Sequence, residues 1–422
     1  MNLYTWLLRL AFPYVLLHLF VRGLRNRDYW KRWGERLGFV PFLPRTGRRI
    51  WIHAVSVGET RAAALLIPKL QDRYPDHAIL VTTMTPTGSA QVRSLFGGQV
   101  EHCYVPYDFP AAVQRFLERT QPSMAIVMET ELWPNLFHAC RERGIPILVS
   151  NVRMSEKSAR GYQRFARLAA ATLAQVNRFA VQGDADAQRL RRLGARPEQI
   201  AVSGSIKFEL FIPASLLEAA EVLRREWGSS RAVWLAASTH EGEDESVLVA
   251  FQQLRQDHPD LLLVLVPRHP ERAAAIARLV RRRGLSYVLR SEHPGEIDPE
   301  TDVLIGDTLG ELLRFYAAAD ISFLGGSLVP TGGHNLLEPA ALGKPVIVGP
   351  HTFNFLDITR MAVERGAATR IRSSESLAPA VADLLDDAEL RFRMGEAGRR
   401  MVAENRGALE KNLELIDELL PR

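Results

Sequence analysis

The sequence predicts an α/β protein with two doubly wound parallel sheets in tandem, preceded by one apolar helix. Three observations carry this. Short apolar runs alternate with helical stretches from Arg48 to about Gln182, and the pattern starts again after Gly204. Apolar strands separated by helices belong to parallel sheets covered on both faces. A length of 422 residues is too great for one small core and fits two domains.

The first stretch, Leu3 to Val21 (LYTWLLRLAFPYVLLHLFV), is about long enough to span a bilayer. Arg9, Pro13 and His18 interrupt it, so a spanning anchor, a monotopic anchor and a helix packed on the first domain all stay open. It has no basic leader and no small-x-small site before Arg22, unlike a cleaved signal peptide. Arg22, Arg25, Arg27, Lys31, Arg32 and Arg36 follow at once and favour a cytoplasmic location for the rest of the chain. Residues 1–60 carry ten Lys/Arg against three Asp/Glu, a net +7, and the remaining 362 are net −2. Basicity confined to one end argues against a nucleic-acid partner and for an anionic membrane surface.

Strands are expected at RRIWIHAVS, HAILVTT, MAIVMET, IPILVSN and VNRFAVQ, then at AVWLAAS, LLLVLVP, SYVLR, DVLIGD, ISFLGG and PVIVGP. The expected division is an anchor at 1–21, a basic juxtamembrane segment at 22–48 and a first domain at 49–205. A linker at 206–215, a second domain at 216–386 and a helical segment at 387–422 crossing back to the first domain complete it. Two cysteines, Cys103 and Cys140, exclude a disulfide framework, and no Cys/His cluster has metal-ligand spacing.

Ligands of open parallel sheets sit at the carboxyl ends of the strands. There the first half places His53, Ser56, Gly58, Glu59, Glu129, Glu131, Asn151 and Arg153. The second half places Ser238, His240, Arg268, His269 and Thr308, all expected to line one interdomain cleft. In the stretch Asp320–Pro350, a strand leads into a loop with Gly325, Gly326, Gly332 and Gly333, and a helix is expected to open near Asn335. Such a loop before a helix N-terminus suits a phosphate, although a glycine turn can also serve only the chain path. Glu338 can accept hydrogen bonds from a ribose diol or close a capping box with Asn335.

The run GGSLVPTGGHNLLEPAALGKPVIVGP resembles the nucleotide-binding signature of the GT-B glycosyltransferases, and most closely that of the Kdo (3-deoxy-D-manno-octulosonic acid) transferases. SVGE, ETELWPN, NVRMSEKS, GSIKFE, STHEGE, PRHPER, DTLGEL and GPHTFNF resemble further motifs of that family, in order along the chain. The resemblance implies two Rossmann-like domains and transfer of Kdo from CMP-Kdo to a lipid A precursor, with inversion. It implies Glu59 as general base and Glu131 as an acceptor-orienting or electrostatic carboxylate; helix-start carboxylates are the alternative for both. Lys207, Ser238, Arg268, His269, Thr308 and the segment Gly332, Gly333, His334, Asn335 and Glu338 become candidate donor-binding residues. CMP carries one phosphate, which Arg, Lys and helix N-termini can neutralise, so neither a metal nor another cofactor is expected. The expected partners are CMP-Kdo, the lipid A precursor and the inner membrane surface. A UDP-sugar transferase and a non-catalytic nucleotide-sugar binding protein are the alternatives.

Overall fold

A computed structural model describes residues 2–41, 48–210 and 212–420. Residues 42–47 of the expected juxtamembrane segment and residue 211 of the expected linker lie outside the described residues. The chain forms two compact units, 1–209 with 406–422, and 210–405.

The first unit holds seven parallel strands: β1 (Arg48–His53), β2 (His77–Thr83), β3 (Glu101–Tyr104), β4 (Met124–Met128), β5 (Ile147–Val152), β6 (Arg178–Val181) and β7 (Ile200–Val202). They lie in the order β3-β2-β1-β4-β5-β6-β7. One face packs Trp51, Phe116, Leu136, Phe137, Leu173 and Phe179 beneath the helices Pro110–Thr120, Pro134–Glu142 and Ala166–Leu173. The other packs Ile50, Ile52, Leu66, Ile67 and Leu148 beneath Val57–Arg73 and the last helix, Ala408–Leu419. The N-terminal helix Asn2–Arg25 rests on the first of these layers: Tyr4 donates to Asp108 (3.0 Å), Thr5 to Asn135 (3.1 Å), and Phe12 meets Phe109 edge-on.

The second unit repeats the plan with β8 (Val233–Thr239), β9 (Leu262–Pro267), β10 (Tyr287–Leu289), β11 (Val303–Ile305), β12 (Ile321–Leu324), β13 (Val346–Val348) and β14 (Ala368–Arg370). Their order is β10-β11-β9-β8-β12-β13-β14, again with parallel pairs throughout. Each sheet reverses direction of growth at its centre, between β1 and β4 in the first and between β8 and β12 in the second. At such a switch point the strand ends open a crevice where ligands bind.

The C-terminal segment divides differently from expectation. Of residues 387–422, only 406–422 belong to the first unit. The helix Ala388–Glu404 stays on the second, because Gly395 and Gly398 let it press on the 339–344 turn. A Cβ at Gly395 would lie 2.1 Å from the carbonyl oxygen of Gly343. The helix expected to open near Asn335 covers only Leu337–Ala341, since Gly343 takes φ +70° and ends it.

Candidate active site

At the first switch point β1 runs into the turn Ala54–Ser56 and the helix Val57–Arg73. Ser56 caps this helix, its Oγ accepting from the Glu59 amide (3.3 Å) and donating to Glu59 Oε1 (2.8 Å). The Val55 amide, one residue before the cap, donates to Glu59 Oε2 (2.7 Å). The bonds at the helix start therefore also fix the carboxylate in place. Glu59 is 6% exposed, and burial pushes its pKa up to about 7. The Ser56 and Val55 bonds oppose this, and the charges of Glu129 and Glu131 add to it.

β4 ends beside β1, and Glu129 follows it with φ +58°, a left-handed conformation costly for a residue with a Cβ. Burial raises the Glu131 carboxyl, and Glu129 adds to the rise. Lys207 Nζ lies 3.4 Å from Glu129 Oε1 and brings one cation to this group of carboxylates. The segment before Lys207 is held by Asn151, also left-handed (φ +56°), whose Oδ1 accepts from the Ile206 amide (3.2 Å). His53 at the end of β1 is wholly buried, and burial lowers it to about 4, so it is neutral near pH 7. Its Nδ1 pairs with Thr82 Oγ1 at 2.9 Å.

The second switch point is built around a carboxylate that sequence reasoning passed over. Glu243, fully buried, accepts four backbone amides: Gly326 (2.6 Å) and His240 (2.9 Å) on one oxygen, Leu328 (2.8 Å) and Ser327 (3.0 Å) on the other. It thereby ties the end of β8 to the glycine loop after β12. Gly325 is needed for this approach, since a Cβ there would lie 2.5 Å from the Ser238 carbonyl oxygen. Ser238 itself is left-handed, at φ +57°. STHEGE contains Glu243, but nothing in its spacing signals a reach to residues 326–328.

Above this clamp His240 Nε2 and His334 Nε2 approach to 2.9 Å with the rings nearly parallel. A hydrogen bond between two imidazole nitrogens holds one proton, so the two rings cannot both be cations. Burial lowers the His240 pKa; Glu243 opposes the shift, and His269, Arg272 and Arg268 reinforce it. The His269 ring centroid is 6.2 Å from that of His240, edge to face. Arg268 is exposed beside it, its amide bound to the Thr239 carbonyl (3.0 Å). Gly332 (φ +101°) and Gly333 (φ +74°) carry the loop back, with the Gly333 amide donating to the Gly326 carbonyl (2.7 Å).

Three expected donor-binding residues, Thr308, Asn335 and Glu338, are engaged with other protein groups. The Thr308 hydroxyl donates to Glu311, which is paired with Arg290. Asn335 Oδ1 accepts from the Leu337 amide (3.2 Å), and its Nδ2 donates to Glu338 Oε1 (3.3 Å). The structure thus gathers Glu59, Glu131 and Lys207 in the first unit. In the second it gathers Ser238, His269, His334 and the loop glycines.

Comparison with known proteins identifies the family and the fold. Residues 31–210 match the family model for 3-deoxy-D-manno-octulosonic-acid transferase, and residues 239–401 match that for glycosyl transferases group 1. The chain is 42% identical to the 3-deoxy-D-manno-octulosonic acid transferase of Haemophilus influenzae, over 99% of this chain and 98% of that one. It is 38% identical to the transferase of that name from Bordetella pertussis, over 99% of both. The solved UDP-GlcNAc 2-epimerase of Neisseria meningitidis superposes with a TM-score of 0.58 at 16% identity, covering 88% of this chain and 100% of that one. That likeness is one of fold alone. Two parallel seven-stranded sheets with these neighbours define the GT-B fold, and the chain belongs to the 3-deoxy-D-manno-octulosonic acid (Kdo) transferase family of glycosyltransferases.

Proposed function

We propose that the protein transfers Kdo from CMP-Kdo to a lipid A precursor at the cytoplasmic face of the inner membrane, with inversion and with Glu59 as general base. The observation that carries this reading is the Glu59 carboxylate, held by Ser56 and Val55 at a switch point and tuned to about 7. A base with a pKa near the working pH combines an adequate ionised fraction with adequate proton affinity.

In the proposed step, an acceptor hydroxyl gives its proton to Glu59 and its oxygen forms a bond to the anomeric carbon of Kdo. The bond from that carbon to the phosphate oxygen breaks, and its electron pair leaves with CMP. Glu131 orients the acceptor and stabilises positive charge developing on the sugar ring. Lys207 and Arg268 are assigned to the leaving phosphate, and Ser238, His269, His334 and the Gly332–Gly333 backbone to the donor. Thr308, Asn335 and Glu338 remain assigned to the donor as well; each would exchange its present hydrogen bond for one to the nucleotide or sugar. Guanidinium, ammonium and backbone amides suffice for one phosphate, so the proposal requires neither a metal nor another cofactor.

The test is CMP release by the full-length protein given CMP-Kdo, with and without a tetra-acylated, bis-phosphorylated glucosamine disaccharide. Release that depends on the lipid, with one Kdo mass or a multiple of it gained by the lipid, is expected. Turnover of a UDP-sugar in place of CMP-Kdo would overturn the donor assignment.

A further inference from the structure

The N-terminal helix is apolar nearly all round, and its 21-residue span Tyr4–Leu24 measures about 31 Å at 1.5 Å per residue. That length matches a bilayer core of about 30 Å, so length and composition suit a spanning helix. The contacts point elsewhere. Tyr4 and Thr5 at one end bond to Asp108 and Asn135, Phe12 in the middle meets Phe109, and Leu19 is buried. At the far end a Cβ on Gly23 would strike the Trp30 ring. One side of the helix is therefore tied to the first unit at its first turn and its middle, and at its far end to the Arg27–Trp30 turn that follows it.

The opposite side is a clean stripe. Leu7, Leu10, Tyr14, Leu17, Val21 and Leu24 follow one another at steps of three and four, the spacing of one helix face. They are 47–75% exposed. At 100° per residue, Arg9 falls about 100° to one side of the stripe and His18 about 75° to the other, with Arg22 beyond it. Groups in those positions reach headgroups while the stripe lies deeper.

We infer that this helix lies in the plane of the membrane surface, with the Leu7–Leu24 stripe in the headgroup and acyl boundary of an anionic phospholipid bilayer and its other side on the first unit. The inference deepens, and rests on, the membrane location proposed above. It explains an apolar helix with little amphipathicity, because each face has its own apolar partner, the protein on one side and lipid on the other. A spanning orientation would draw Asp108 and Asn135, which contact the first turn, to the far side of the hydrocarbon core, where polar groups are expelled. The in-plane orientation also has a consequence for the site. Asp108 accepts from the Asn135 (3.0 Å) and Leu136 (2.7 Å) amides and so caps the helix that begins directly after Glu131–Trp133. The helix thus fixes the Glu131 loop close to the leaflet that would carry a lipid acceptor.

The test uses full-length protein with an epitope tag at each end, in inner-membrane vesicles whose cytoplasmic face is outward. Added protease is expected to remove both tags. Loss of the C-terminal tag with protection of the N-terminal one would overturn the in-plane orientation and keep the membrane location. A protein that does not sediment with the vesicles would overturn both. As a second measurement, the double variant Leu10→Asp, Leu17→Asp is expected to lower vesicle binding at least tenfold at an unchanged unfolding temperature, since neither residue rests on the first unit. Unchanged binding, or a collapse of the unfolding temperature, would refute the assignment of the stripe to lipid.

Discussion

In its proposed role as base, Glu59 has one set of bonds bearing on both stability and chemistry. Its pKa rises from an ordinary 4.5 to about 7 through burial, so this group favours the fold most below pH 4.5, and that contribution disappears as pH climbs through 7. The ionised form needed to accept a proton is therefore the one the fold tolerates less. For Glu59→Gln we expect transfer to fall by about 10²–10⁴ while CMP-Kdo still binds. At pH 8 the variant should be the more stable protein, by up to about 3 kcal/mol, with the difference vanishing near pH 4. Wild-type turnover should fall about tenfold per pH unit below 7 and level off above it. A flat profile from pH 5 to 8, or a variant with near wild-type turnover, would remove the base assignment. Glu59 was legible in the sequence because it follows the first expected strand directly, within SVGE, which resembles a motif of the family. Glu243 was not, because three of its four partners, the Gly326, Ser327 and Leu328 amides, lie more than eighty residues away and only the folded chain brings them together.

At the scale of elements, what was legible depended on burial. Central strands such as LLVLVP are apolar throughout and announced themselves. β3 (EHCY), β7 (IAV) and β14 (ATR) lie at sheet edges and are only three or four residues long, and β3 and β14 also mix polar with apolar, so no period marks them. In the 325–335 loop Gly326, Gly332 and Gly333 take the positive φ expected of them, but the helix after them is shorter than expected. That helix is five residues long, and the loop owes its shape to the Glu243 clamp. Removing the clamp leaves four inward amides without their acceptor, at about 1–3 kcal/mol each. Glu243→Ala should therefore cost at least about 4 kcal/mol, lowering the unfolding temperature by about 10 °C in differential scanning calorimetry. A loss under about 1 kcal/mol would mean that the loop holds its shape unaided.

At the scale of the whole molecule, the charge partition visible in the sequence has a spatial counterpart that the sequence did not reveal. The helices Glu156–Gln163 and Ala166–Leu173 cover the same face of the first sheet as the helices that seat the N-terminal one. On them Lys157, Arg160 and Arg167 are exposed, as are Arg164 and Phe165 between them. None of these four cations forms an ion pair among the described residues. A cation near an anionic leaflet contributes about 1 kcal/mol, and the attraction fades over a Debye length of about 10 Å at 0.1 M salt. If this layer faces the membrane, binding should have an apolar part from the N-terminal helix and a salt-sensitive part from these cations. We expect Arg160→Glu with Arg164→Glu and Arg167→Glu to lower binding to vesicles containing about one-third anionic lipid at least tenfold at 0.1 M salt. Binding to zwitterionic vesicles should barely change, and 1 M salt should bring wild type close to the variant. Equal losses on both kinds of vesicle would instead mean that the substitutions disturb the fold, and no loss on either would place this basic surface away from the lipid.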